Sequence, residues 1–178
     1  NNTASGYQSL WKNTTGAVNT ATGVNALKSN TTGTRNTSSG AYALQNNTTA
    51  DENSAFGYDS LGANTTGANN TGIGRSALQN NTTAANNTAV GFEALKLNTT
   101  GASNVAIGKD ALDANTTATE NTAVGTDALG GNTTGSYNTA LGNQTLLANT
   151  TGTKNVMIGQ AAGVTTTTLT TGHQNVFI

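Results

Sequence analysis

The chain has 178 residues, room for one ordinary domain. Only 8% of it is charged and the net charge is −1, too weak a field to hold a polyanion, so nucleic acid is excluded as an expected partner. The absence of Cys excludes disulfides and thiolate metal sites, and no apolar stretch approaches the ~20 residues that a membrane-spanning helix needs.

Hydrophobic residues make up 34% and aromatics 4%, below what a compact globular core uses. Disordered chains of low hydrophobicity are rich in charge and Pro. Here there is no Pro, and Asn, Thr, Gly and Ala recur in fixed order. One unit repeats every 17 residues, starting at Asn2, Asn19, Asn36, Asn53, Asn70, Asn87, Asn104, Asn121, Asn138 and Asn155. Its consensus is Asn-Thr-Ala-Val-Gly-x-x-Ala-Leu-x-x-Asn-Thr-Thr-Gly-x-x. The period is too short for helical-pair repeats or propeller blades and fits one turn of a β-coil.

Taken in order along the unit, the first element is a short strand of Thr and β-branched residues. It ends at the fifth residue, Gly in all ten units, which permits a tight turn or positive φ. Next comes Ala-Leu, with Leu at the ninth position from Leu10 to Leu146; a second short strand and a single helical turn both fit this stretch. Asn-Thr-Thr follows, from Asn13 to Asn149, as a further extended piece before a closing Gly or Ala. The tenth unit loses the Leu to Gly163 and the Asn-Thr-Thr to a run of Thr, and Asn175 arrives 20 residues after Asn155. The expected organisation is a regular solenoid over residues 1–154 and an irregular last coil and junction over 155–178. No signal peptide is read. The chain opens and closes inside a repeat, as expected of a segment of something longer.

The expected fold is therefore all-β, a parallel β-solenoid of about ten coils. Stacked ~4.8 Å apart, they give a rod of roughly 50 Å. Identical residues lie over one another, so two Asn ladders are expected, one from Asn2 and one from Asn13. The fourth residue is apolar from Phe56 onward and is expected to face inward with the Leu series, leaving a weaker core in the first three units, where it is Ser5, Thr22 and Ser39. The third residue is small almost throughout, Met157 excepted, and is expected to face outward. A small outward residue fits either a tight coil or a flat Ala face that meets its copy on another chain. One Leu and one β-branched residue per coil make a thin core, which adds weight to assembly.

The segments Asn104-Val105-Ala106-Ile107-Gly108 and Asn155-Val156-Met157-Ile158-Gly159 resemble the Asn-Ser-Val-Ala-Ile-Gly signature of YadA-type trimeric autotransporter heads. The whole repeat is similar to those of phage tail fibres and other extracellular fibre proteins. The resemblance implies a left-handed parallel β-roll, three chains side by side, and the role of a stalk or adhesive head. This chain departs from it in having 17 residues per coil against about 14 in those heads, and in its Asn-Thr-Thr segment.

Candidate sites are few. His173 is the one His and reads as a plain loop residue, so no nucleophile–base pair is expected and the chain is not read as an enzyme. No phosphate loop, calcium nonapeptide, cofactor or metal site is expected. Glu93, Asp110 and Asp127 share the seventh position in successive coils, a repulsion that solvent or a cation must relieve. Each Asn-Thr-Thr is an Asn-x-Thr sequon, making Asn13, Asn30, Asn47, Asn64, Asn81, Asn98, Asn115, Asn132 and Asn149 candidate N-glycosylation sites. Inward ladders and glycans compete for the same amides, and the unmodified ladder is favoured. Tyr7, Tyr42, Tyr58 and Phe92, at the variable sixth and seventh positions, are candidate ligand contacts. The expected function is a stiff structural and adhesive module of an extracellular, cell-surface or virion fibre. It would self-associate as a homotrimer or fibril and meet a cell-surface or glycan receptor, without membrane insertion. The alternative is a heavily N-glycosylated fibril subunit stacked head to tail. Ice binding is disfavoured, because adjacent Thr residues face opposite sides and leave one rank per coil.

Overall fold

The structure, a computed structural model, describes residues 1–164 and 171–177. The Thr run at 165–168 that replaces the tenth Asn-Thr-Thr lies outside the described residues, apart from which the chain forms stacked coils. Eleven parallel strands make one sheet in strict sequence order: β1 Thr3–Ser5, β2 Thr20–Thr22, β3 Thr37–Ser39, β4 Ser54–Phe56, β5 Thr71–Ile73, β6 Thr88–Val90, β7 Val105–Ile107, β8 Thr122–Val124, β9 Thr139–Leu141, β10 Val156–Ile158 and β11 Val176–Phe177. The register advances by one repeat each time, as in Thr88↔Val105 and Ala89↔Ala106. The solenoid read from the sequence is therefore the fold.

Only three residues per coil are strand. The rest of each coil is held by main-chain bonds to its neighbours at nearly every second position. In the sixth coil these include Gly91 N–H to the Ile73 carbonyl at 2.8 Å, Leu95 N–H to Ala111 at 2.9 Å and Thr99 N–H to Thr116 at 2.9 Å. The Ala-Leu stretch is neither strand nor helix. Overlapping i to i+3 turns run through it, such as Ala26 N–H to Gly23 (3.3 Å) and Lys28 N–H to Asn25 (3.3 Å). Each of these turns needs a left-handed residue at its third place. The seventh and ninth residues supply it, for example Glu93 at φ 56° and Leu95 at φ 53°. Asn-Thr-Thr likewise forms a bend rather than a strand.

The invariant Gly of the fifth position is fixed by stacking as well as by φ. Gly57 sits at φ +129°, and a Cβ there would stand 2.6 Å from the Gly74 carbonyl oxygen of the next coil.

The two faces of the strand are the reverse of the sequence expectation. The third residue is the buried one: Ala21, Ala55, Ala89, Ala106, Ala123 and Ala140 are fully enclosed. The fourth residue points outward, with Phe56, Ile73, Ile107, Leu141 and Ile158 each about two-fifths exposed (39–42%). The reason is width. The Leu of the ninth position reaches into the coil from the opposite wall and is fully buried from Leu27 to Leu146. With Leu there, the strand can offer only a methyl. The exceptions follow the same rule. Where the strand has Gly72, the hydroxyl of Ser60 takes the space and donates to the Gly72 carbonyl at 2.9 Å. Where the tenth unit loses its Leu to Gly163, the strand carries buried Met157 instead. The second and third coils are consequently not short of core, since their polar fourth residues lie outside and Leu27 and Leu44 are as buried as any later Leu; in the first coil, at the end of the stack, Ala4 is exposed.

Candidate functional site

Both expected Asn ladders are present, and they differ in kind. At the twelfth position each side-chain amide donates to the Oδ1 of the Asn one coil back, as in Asn47 to Asn30 (2.9 Å), Asn98 to Asn81 (2.8 Å) and Asn115 to Asn98 (2.8 Å). At the first position the Oδ1 accepts the backbone N–H of the next Asn, as in Asn36 N–H to Asn19 (2.9 Å) and Asn53 N–H to Asn36 (2.9 Å). The two ladders meet at one carbonyl, that of the fifteenth residue. The Gly33 oxygen accepts from Asn19 at 2.8 Å and Asn30 at 3.0 Å, and the Gly101 oxygen from Asn87 and Asn98, both at 2.9 Å. Eight of the nine coils with Asn-Thr-Thr are thus closed by a polar clamp inside an otherwise apolar section; in the eighth, Asn132 alone donates to the Gly135 carbonyl and Asn121 turns to the Asn104 Oδ1 at 3.3 Å.

This places the sequon residues. Asn30, Asn47, Asn64, Asn81, Asn98, Asn115, Asn132 and Asn149 are fully buried, and Asn13 in the first coil is partly so. Their Nδ2 atoms, the acceptors in N-glycosylation, point into the coil and are spent on the ladder. Asn149 ends the ladder, its Oδ1 having no partner among the described residues.

The Thr after each of these Asn also has an internal task. Its hydroxyl donates across the coils, Thr65 to the Thr82 carbonyl at 3.0 Å and Thr99 to Thr116 at 3.0 Å. The second Thr of each motif, from Thr15 to Thr151, is exposed in all nine coils.

The variable sixth, seventh and tenth positions form a continuous side of the rod. Tyr7 is 69% exposed and Trp11 63%, with the Lys28 ammonium 5.6 Å from the Trp11 ring. Tyr42 and Tyr58 meet edge to face at 5.5 Å. Phe92 lies between Arg75 (5.5 Å) and Lys109 (5.9 Å). The rings of Trp11, Tyr42, Tyr58 and Phe92 thus meet side chains of the neighbouring coils, and no enclosed cavity is found among the described residues.

Two members of the acidic column pair with Lys residues. Glu93 bonds Lys96 at 2.9 Å and Asp110 bonds Lys109. Asp113, half-buried beside Asp110 and Asp127, has its carboxyl pushed above the ordinary range by desolvation first and by those charges second. Among the described residues no group of three or more acidic, His or Cys side chains is placed to hold a metal. His173 is exposed, its Nδ1 accepting the Thr153 N–H at 3.0 Å.

The outer face of the sheet is a second exposed side of the rod. Its two outward columns, the second and fourth residues of each unit, contain Thr, Ser, Val, Ile, Leu and Phe and not one charge. From Phe56 to Ile158 the fourth-residue column is apolar over seven coils, a stripe about 29 Å long at the ~4.8 Å strand spacing.

No family model matches the chain, and no curated protein or solved structure matches it. The fold and the site therefore stand on their own geometry.

Proposed function

We propose that the chain is a structural module of an extracellular or virion fibre, a stiff solenoid spacer whose rods associate side by side along the outer sheet face. The observation that carries this is the uncharged apolar stripe from Phe56 to Ile158. A soluble protein rarely leaves a contiguous apolar surface of this kind uncovered. Its regularity argues for what covers it. A partner that meets seven side chains at one per coil must repeat at the same rise, and a second copy of this rod does. Three rods around the stripe is the arrangement that the resemblance to YadA-type heads implies. The expected Ala-to-Ala contact is replaced by this opposite face, because the Ala column is spent inside the coil. Stiffness follows from the two ladders, which bond every coil to the next. The exposed rings of Tyr7, Tyr58 and Phe92 are the surface on which an adhesive contact with a cell-surface or glycan receptor would form.

The test is the mass in solution of the recombinant chain by analytical ultracentrifugation. The expected species is an oligomer, and Ile107→Lys in the middle of the stripe is expected to shift it to monomer by at least a tenfold rise in dissociation constant. Ile107 is already outside the coil, so the variant keeps its β circular dichroism. A wild-type chain that remains monomeric at high micromolar concentration overturns the proposal.

A further inference from the structure

We propose that the column of second Thr residues, from Thr15 to Thr151, is an edge built for O-linked glycosylation, with the Thr oxygens and not the sequon amides as acceptors. The argument comes from comparing two exposed columns of the same rod. The seventeenth position is exposed in all nine coils that carry Asn-Thr-Thr, and it holds Val18, Arg35, Glu52, Asn69, Ser103 and Tyr137 among others. Exposure alone therefore dictates no residue type. Three positions earlier, the fourteenth is equally exposed and is Thr nine times out of nine.

Nothing inside the molecule requires that hydroxyl. The neighbouring Thr donates across the coils, Thr48 to the Thr65 carbonyl at 3.1 Å, whereas Thr49, Thr66, Thr83 and Thr100 make no side-chain hydrogen bond. A demand for a β-branched backbone would be met equally by Val or Ile, and a demand for solubility by Ser, Lys or Asp. What is kept is an accessible secondary hydroxyl on a bend. In eight of the nine coils the sequon offers no competing acceptor, since the Nδ2 atoms from Asn30 to Asn149 are enclosed and each donates to an Oδ1 and a carbonyl, as in Asn64 (3.0 and 2.9 Å).

The co-substrate would be a sugar activated by a nucleotide or lipid phosphate. The Thr Oγ1 attacks the anomeric carbon and forms the C–O bond. The bond from that carbon to the phosphate oxygen breaks, the phosphate leaves with the electron pair, and the hydroxyl proton passes to a base of the transferase. A column of sugars one coil apart would coat this edge and leave the outer sheet face free. The inference draws on the extracellular reading only for access to such an enzyme; lateral association is measured on unmodified recombinant chain, so the two fail separately.

The test is intact mass and electron-transfer fragmentation of the protein purified from its natural source. Sugar increments mapped to at least half of the nine Thr residues, lost on mild alkaline β-elimination, are the expected result. A mass equal to the bare polypeptide overturns the inference, as do sugars that an amidase releases from Asn. A second arm asks whether the column serves folding instead. Recombinant Thr66→Val, Thr83→Val, Thr100→Val triple variant is expected to keep the wild-type melting temperature, and a marked fall would overturn the assignment.

Discussion

Gly91 shows how one residue type can be held by two demands at once. Its φ of 140° is closed to a side chain, and a Cβ would overlap the Gly108 carbonyl oxygen in the next coil. Gly91→Ala is therefore expected to cost about 2–4 kcal/mol, read as a fall in the denaturant midpoint. The left-handed Leu residues are different. Leu95 at φ 53° carries strain of about 1–2 kcal/mol, and it is tolerated because the side chain so aimed is fully buried. Asp113 carries a smaller, pH-dependent burden. Burial, then Asp110 and Asp127, raise its folded-state pKa, so the folded chain binds that proton more tightly than the unfolded chain. Stability then falls as pH rises from the ordinary carboxylate value through the raised one. Asp113→Asn is expected to raise the thermal midpoint at neutral pH. It should give no gain at a pH where the carboxyl is protonated in both states, which a pair of melts at the two pH values would check.

At the scale of the element, the unit is a polar clamp more than a strand. Three strand residues per coil supply few ladder bonds, whereas the Asn amides bond both along the axis and across the coil. Asn98→Ala removes two donated bonds, leaves the buried Asn81 Oδ1 without its donor, and cuts the Asn115 amide back to its bond with the Ala118 carbonyl. The expected loss is about 3 kcal/mol by chemical denaturation, more than one exposed hydrogen bond could give, because a buried polar group is left unpaired. The ladders were legible in the sequence, since identical Asn residues at a fixed period must stack. Their difference was not. Whether an amide meets another amide or a backbone N–H depends on where the neighbouring main chain runs, as Asn36 and Asn47 illustrate. The Ala-Leu segment was illegible for a related reason: its consecutive turns use positive φ at residues such as Tyr42 and Leu44, whose side chains give no local sign of it.

At the scale of the whole molecule, a rod of stacked coils has neighbours only above and below, and its cohesion is a sum of coil interfaces. Its section is too thin to enclose every apolar side chain it carries. The Leu column fills it, and the β-branched column is left outside. Association through that uncharged face should be insensitive to salt, in contrast to ion-paired contacts. Sedimentation at low and high ionic strength is thus expected to give the same oligomer for the wild-type chain and monomer for Ile107→Lys at both.

The sequence by itself determined the coil length, the parallel in-register stacking, the two Asn columns and the Gly of the fifth position. All of these follow from periodicity, because a residue repeated every 17 places must sit over its copy. Only the tertiary structure decided which side of the strand is inside. Alternation along three residues allows either side, and apolarity pointed to Ile and Val. The space left by Leu across the coil admits a methyl and no more, so Ala goes in, and the Ile and Val that would have formed a core become the outer face of the rod.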